Sequence, residues 1–202
     1  MLFLLRRFGF LIAAALLLPP QANAQAPSGG AASAGRAAFR LCDAEGFMAL
    51  NMGRNYMLGR RDRESVLPYV RGDEFGQKLA LELFDRVDKG EVKHYADFAA
   101  EKLYDCARRQ NMALPEPVAK AKICYARADI PFFLHADRQA GLDRPAAEEK
   151  TAARLKNREL YPPALIGAVA QAVYDGADAP DLRQLMGMVF WSCLQQDAAR
   201  RS

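Results

Sequence analysis

Histidine is almost missing from this chain: His94 and His135 are the two among 202 residues, and they stand well apart. A histidine-rich metal site, or a Ser-His-acid relay built from sequence neighbours, finds no support in such a composition. The four cysteines, Cys42, Cys106, Cys124 and Cys193, are too widely spaced for a zinc module, whose paired ligands sit about two to four residues apart. No Cys-x-x-Cys-His haem attachment occurs either. Phosphate-loop glycines and the hydrolase nucleophile elbow are absent, and Ser65 and Ser192 lack a histidine-plus-acid setting. Nothing alternates apolar and polar residues with period two, which argues against strands. Long basic blocks are missing as well, so an isoelectric point near 8.9 does not indicate nucleic acid as a partner.

What is present begins with a leader. Arg6 and Arg7 precede an apolar run over residues 8–18, followed by Pro19-Pro20 and the small-x-small triplet Ala22-Asn23-Ala24. That pattern predicts a signal peptide over residues 1–24, cleaved after Ala24. The run is too short for a stable transmembrane helix, and no cysteine stands at the cleavage point to accept a lipid. The arginine pair invites a twin-arginine reading, but that route carries proteins folded in a reducing compartment; four cysteines fit the general secretion route better. Cleavage would lower the formal charge from +4 to +2, since two arginines and no acid are lost. Residues 25–35, rich in Ala, Ser and Gly, read as a flexible tether.

Beyond the tether one cysteine-bounded cassette is written twice. Leu41-Cys42 leads through Gly59 and Gly90 to Tyr104-Asp105-Cys106; Ile123-Cys124 leads through Gly141 and Gly176 to Trp191-Ser192-Cys193. The cysteine-to-glycine spacing at the start is the same in both. This predicts an all-α protein of two tandem, duplicated, disulfide-stapled helical subdomains, over residues 36–112 and 113–200, with the boundary at the prolines Pro115 and Pro117. An apolar share of 51% suits a helix-rich product.

Periodicity places the helices. Phe75, Leu79, Leu83 and Val87 recur every fourth residue, with Gly90 to stop the helix. Tyr95, Ala99, Leu103 and Cys106 form a second stripe, matched later by Leu182, Leu185, Val189 and Cys193, so both closing cysteines face inward. In the opening helix, over 37–58, Leu41, Met48 and Met52 mark an apolar edge. Beside them Cys42, Gly46, Ala49 and Gly53 make a small-residue line that lets another helix come close. Pro131 should kink or divide the segment 118–138. Residues 143–159 form a charged insertion helix, followed by another over 164–174.

Four cysteines allow three pairings. The duplication favours Cys42 with Cys106 and Cys124 with Cys193, each staple contributing about 4 kcal/mol by loop-closure entropy; the runner-up joins Cys106 to Cys124 and Cys42 to Cys193. Gly141 after Arg138, then Val173-Tyr174-Asp175-Gly176, Pro180 and Phe190-Trp191-Ser192-Cys193, resemble a pattern of uncharacterised exported all-helical proteins of Gram-negative bacteria. The first half carries Val87-Asp88-Lys89-Gly90 in place of the Val-Tyr form. The resemblance implies a periplasmic setting and adds no catalytic residue.

For chemistry, His94 reads as a solvated first-turn residue and His135 as a residue packed within its cassette; a metal site with Asp97 or Asp137 is the weaker reading. The methionines Met48, Met52, Met57, Met186 and Met188 read as core filler rather than copper ligands, Trp191 and Tyr104 as packing beside the disulfides. The acids of 61–64 and 73–74 read as caps. No catalytic residue, cofactor or metal is expected. The leading reading is a non-enzymatic periplasmic interaction or scaffold protein, with a periplasmic protein or cell-envelope component as partner. Its surface would be a groove between the two helical halves or the insertion helix with Arg144, Lys150, Arg154 and Arg158, whose plainer reading is a solvated spacer joining two core helices. The alternative is a small-molecule or metal-binding module, with an unrecognised enzyme as its extreme, and the place to look is a polar cleft between the two halves. If the leader reading holds, N-terminal sequencing of the fractionated protein will start at Gln25; intact Met1 in the membrane fraction would refute it.

Overall fold

Helix boundaries in this chain follow its capping residues. The computed structural model describes residues 29–114, 117–175 and 181–195. Helices α1 Gly29–Met57, α2 Arg63–Val66, α3 Glu74–Asp88 and α4 Tyr95–Arg109 make the first half, with a 3-10 turn at Leu67–Val70 after α2. The second half holds α5 Val118–Arg127, α6 Ile130–Gln139, α7 Arg144–Arg154, α8 Pro163–Tyr174 and α9 Leu182–Gln195. The fold is all-α; among the described residues there is no strand, and no helix is long and apolar enough to cross a membrane. The leader, residues 25–28, Pro115, Gly176, Pro180 and the end of the second half from 196 lie outside the described residues.

Asp62 accepts the Ser65 amide ahead of α2, His94 the Ala96 amide ahead of α4, and Asp143 the Ala146 amide ahead of α7; each satisfies a donor that the first helical turn leaves unpaired. Gly59 and Gly141 follow α1 and α6 at the same offset, with φ of 64° and 81°, a left-handed conformation open to glycine at little cost. Pro131 divides the segment 118–138. It falls in the first turn of α6, where its missing donor has no intrahelical partner to lose. Two boundaries differ from expectation. Residues 29–35 belong to α1 rather than to a tether, in line with the helix propensity of their alanines. The insertion helix stops at Arg154 instead of running on towards Glu159.

Packing runs as a continuous stack: α1 lies along α4, α4 along α5, and α5 along α9, while α6 touches α7, α8 and α9. The core therefore crosses from one half to the other. Phe47 of α1, Tyr125 of α5 and Phe190 of α9 meet at ring-centroid separations of 5.4, 5.8 and 4.1 Å, all three buried. Pairs of this kind contribute about 0.5–1.5 kcal/mol beyond simple area burial. The small-residue line makes the approach possible. A Cβ on Gly46 would stand 1.9 Å from the Tyr125 hydroxyl oxygen, and one on Gly53 would stand 2.7 Å from the Tyr95 Cβ. Leu79 and Leu83 are buried as their stripe requires, but Phe75 and Leu41 face solvent. Met186 is core, Met48 and Met52 are partly buried against it, and Met188 is exposed.

Both disulfides pair within a half, Cys42 with Cys106 and Cys124 with Cys193, at Cα separations of 5.3 and 5.5 Å. Each joins the opening helix of its half to the closing one. Their surroundings differ. Cys42 and Cys106 are fully buried, whereas Cys193 lines an apolar groove between α8 and α9, with an Arg127 nitrogen 3.9 Å from its sulfur. Thiol–disulfide exchange needs access for the attacking sulfur and a stabilised leaving thiolate. Limited dithiothreitol under native conditions should therefore open Cys124–Cys193 first, read by alkylation and peptide mass mapping. Prior or simultaneous loss of Cys42–Cys106 would contradict this account.

Candidate functional site: a cationic cavity between the halves

The deepest charged interaction in the molecule lies where α1, α4 and the α5–α6 break meet. Arg54, 3% exposed, and Asp129, fully buried, form an ion pair at 2.5 Å. Asn51 accepts a second hydrogen bond from the guanidinium at 2.5 Å, and the ring of Phe132 lies 3.5 Å beneath its centre. The Tyr95 hydroxyl donates to the other Asp129 oxygen at 2.7 Å. Burial, and then the Asp129 charge, push the Tyr95 phenol well above its usual range, so it stays a donor.

Above this pair opens a cavity of about 660 Å³ whose walls come from both halves, a size suited to a small organic molecule. The end of α1 and the turn after it supply Met57, Leu58 and Arg60; the approach to α4 supplies Lys93, His94 and Tyr95. From the second half come Phe133 of α6, Arg154 at the end of α7, and Leu155, Lys156, Asn157, Leu160 and Tyr161 from the turn leading to α8. Phe133, Leu155, Tyr95 and Tyr161 are buried and give the cavity a dry floor. Arg60, Lys93, Arg154 and Lys156 are exposed around it. Among the described residues, no carboxylate lines it.

Charge of one sign over a low-dielectric wall focuses the field and attracts the opposite ion. The guanidiniums are also held in place: Arg154 lies over Phe133 at 4.7 Å, and Arg60 lies over Phe132 and Phe133 at 4.8 and 5.9 Å, within the range of cation–π attraction. Among the described residues, Arg60, Lys93 and Lys156 have no carboxylate partner.

His94 is not the solvated residue its position suggested. It is half-buried, its Nδ1 accepts the Ala96 amide at 3.1 Å, and its ring stacks on Tyr95 with centroids 4.3 Å apart. With Nδ1 accepting, the ring proton resides on Nε2. Burial lowers the His94 pKa, opposed by the charges of Asp97 and Asp129. His135, also half-buried, exchanges a hydrogen bond with Gln139 at 3.1 Å. Among the described residues, no cluster of three or more His, Cys, Asp or Glu side chains is placed to hold a metal ion.

The charges of the insertion helix are engaged within the molecule. Lys150 and Arg154 both reach the buried Asp137 of α6, at 2.8 and 3.4 Å, while Arg144 pairs with Asp175 at 2.7 Å and Glu148 at 3.5 Å. Ala147 and Thr151 of the same helix are buried. Its charges fasten it to α6 and to the end of α8. Of the four candidate residues, Arg158 alone is exposed without an ion-pair partner among the described residues. Trp191, expected merely to pack, donates from its indole nitrogen to Asp43 at 2.9 Å, and Arg183 joins the same carboxylate at 2.7 Å.

Sequence reasoning missed Arg54, Asp129, Arg60, Lys93 and Tyr161, and placed Lys156 on the charged insertion helix rather than in a cavity. Asp129 before Ile130-Pro131 reads as an ordinary helix start, and no local signal marks it as buried. No family pattern, characterised protein or solved structure matches the chain.

His94 also makes stability depend on pH with a definite sign. Its folded pKa lies below the ordinary 6.5, so between the two values the unfolded chain binds the proton and the folded one does not. The stabilisation is present above about pH 6.5 and is lost as pH falls through that value towards the folded pKa. The His94→Asn variant keeps a capping oxygen without titrating. The drop in melting temperature from about pH 7.5 to about pH 5 should thus be smaller in the variant than in the parent; an equal or larger drop would refute the assignment.

Proposed function

We propose that this protein is an exported, periplasmic binding protein that takes up a small anionic molecule in the cavity between its two halves. The observation carrying this reading is the charge of the lining: among the described residues it holds four cations and no carboxylate over an apolar floor, and three of the four cations have no acid partner. By contrast Lys150 and Arg144, on the neighbouring α7, are paired with Asp137 and Asp175. Lysines left unpaired beside a concave apolar surface are what an anionic ligand needs for attraction and for partial desolvation. Two disulfides support an oxidising compartment, and the leader supports export. We also read the two halves as descendants of one duplicated cassette, on the strength of the matched staples and the matched glycines Gly59 and Gly141. The reading as a protein-interaction scaffold is less favoured, because three of the four cations expected to form its surface are engaged within the molecule.

Phenyl phosphate is a suitable probe, with a charged head and an apolar ring. Titration calorimetry at low ionic strength should detect its binding. The Lys93→Ala/Lys156→Ala double variant should weaken binding about tenfold or more, equivalent to about 1.4 kcal/mol, and should flatten its salt dependence. Both side chains are exposed, so stability should change by no more than about 0.5 kcal/mol per site. An unchanged affinity in the double variant, or no binding to the parent, would overturn the proposal.

A further inference from the structure

Two tyrosines form part of the cavity floor, and they are treated differently. Tyr95 is 5% exposed and its hydroxyl is satisfied by Asp129 at 2.7 Å. Tyr161 is 6% exposed, yet its hydroxyl has no hydrogen-bond partner among the described residues. Its ring is buried, but the hydroxyl opens onto the cavity, so it stands as a donor that no described protein group engages. Tyr125 offers an instructive contrast. Its hydroxyl is also unpartnered, but it is sealed against Gly46, where no ligand can reach it. Tyr161 instead lines the open cavity. Burial, and then the Asp129 charge, push its pKa up to about 12, so the group offers a proton rather than a lone pair with negative charge. The nearby carboxylate sits behind the floor and is already engaged by Arg54 and Tyr95.

The cavity thus has two separate polar demands on an occupant. The exposed cations ask for an oxyanion, and a neutral hydroxyl donor that faces the same space can take an acceptor, with Phe133, Leu155 and Leu160 supplying apolar wall. We infer that the ligand is an amphiphilic oxyanion whose apolar body rests on this floor and which carries a second, neutral oxygen acceptor hydrogen-bonded by Tyr161. Tyr161 is on this account the specificity-determining residue of the site. The inference rests on the anion-binding reading above and adds to it a second point of recognition. An occupant seated on the floor takes the Tyr161 hydroxyl out of water, so an analogue of the same shape that lacks the acceptor leaves that donor unpaired and binds less well.

The test compares 4-acetylphenyl phosphate with 4-isopropylphenyl phosphate, which share a head and nearly share a shape but differ in the acceptor. The parent protein should bind the acetyl compound about tenfold more tightly, the scale of one well-formed hydrogen bond. In Tyr161→Phe the two affinities should converge to within about twofold, with the isopropyl compound bound as in the parent. Equal binding of the two compounds by the parent would overturn the inference without needing the variant. So would a preference that persists in Tyr161→Phe. If neither compound binds the parent, the anion-binding reading itself fails, an outcome distinct from the loss of acetyl preference alone.

Discussion

A guanidinium and a carboxylate taken together out of water set the geometry of this molecule. Arg54 belongs to the opening helix of the first half and Asp129 to the break between α5 and α6 in the second. A pair of this kind is a modest source of stability, since the attraction must offset the desolvation of both ions. Removing one partner leaves a buried charge and costs about 3–5 kcal/mol. Any sliding of α5–α6 relative to α1 would separate the pair and incur the same penalty. Asn51, Phe132 and Tyr95 add further contacts to the pair, so the position of α4 is tied to the same point. The aromatic contacts of Phe47, Tyr125 and Phe190 add adhesion across the same seam, while the ion pair gives it register.

The basic residues around that seam divide into two groups by the company they keep. Lys150 and Arg154 converge on Asp137, a buried carboxylate that would be intolerable without them. Arg60, Lys93 and Lys156 lie close by in sequence or space and have no such acid among the described residues. Arg154 belongs to both settings, pairing with Asp137 while lining the cavity over the ring of Phe133. The positive character of the cavity therefore arises from the local distribution of acids and not from the overall charge, which is small.

Those features of the fold that depend on neighbours a few residues away were legible in the sequence. Caps at Asp62 and Asp143, the stripe from Tyr95 to Cys106, the division at Pro131 and the closeness enforced by Gly46 and Gly53 all follow from short-range spacing. The pairing of the cysteines was legible too, because reading the two halves as copies of one cassette pointed to long-range partners that spacing alone does not give. The cavity was not. Its lining is drawn from the end of α1, the approach to α4, α6, and the turn after α7, and nothing in the order of residues brings Lys93 near Lys156. The internal ion pairs of the insertion helix were illegible for a related reason. A run such as Glu148-Glu149-Lys150 looks like a solvated face, and the partner that occupies it, Asp137, resides on another helix.

The position of the cavity has a mechanical meaning. Each disulfide closes a loop inside its own half, so no covalent staple spans the seam, and the halves are held together by packing and by the ion pair. The cavity walls come from both sides of that seam. An occupant touching both walls binds the docked arrangement and not the separated one, and mass action then strengthens the docking: at a hundred times its dissociation constant it would add about 2.7 kcal/mol. Ligand concentration would act as a third, reversible crosslink, placed at the one boundary that the cysteines leave open.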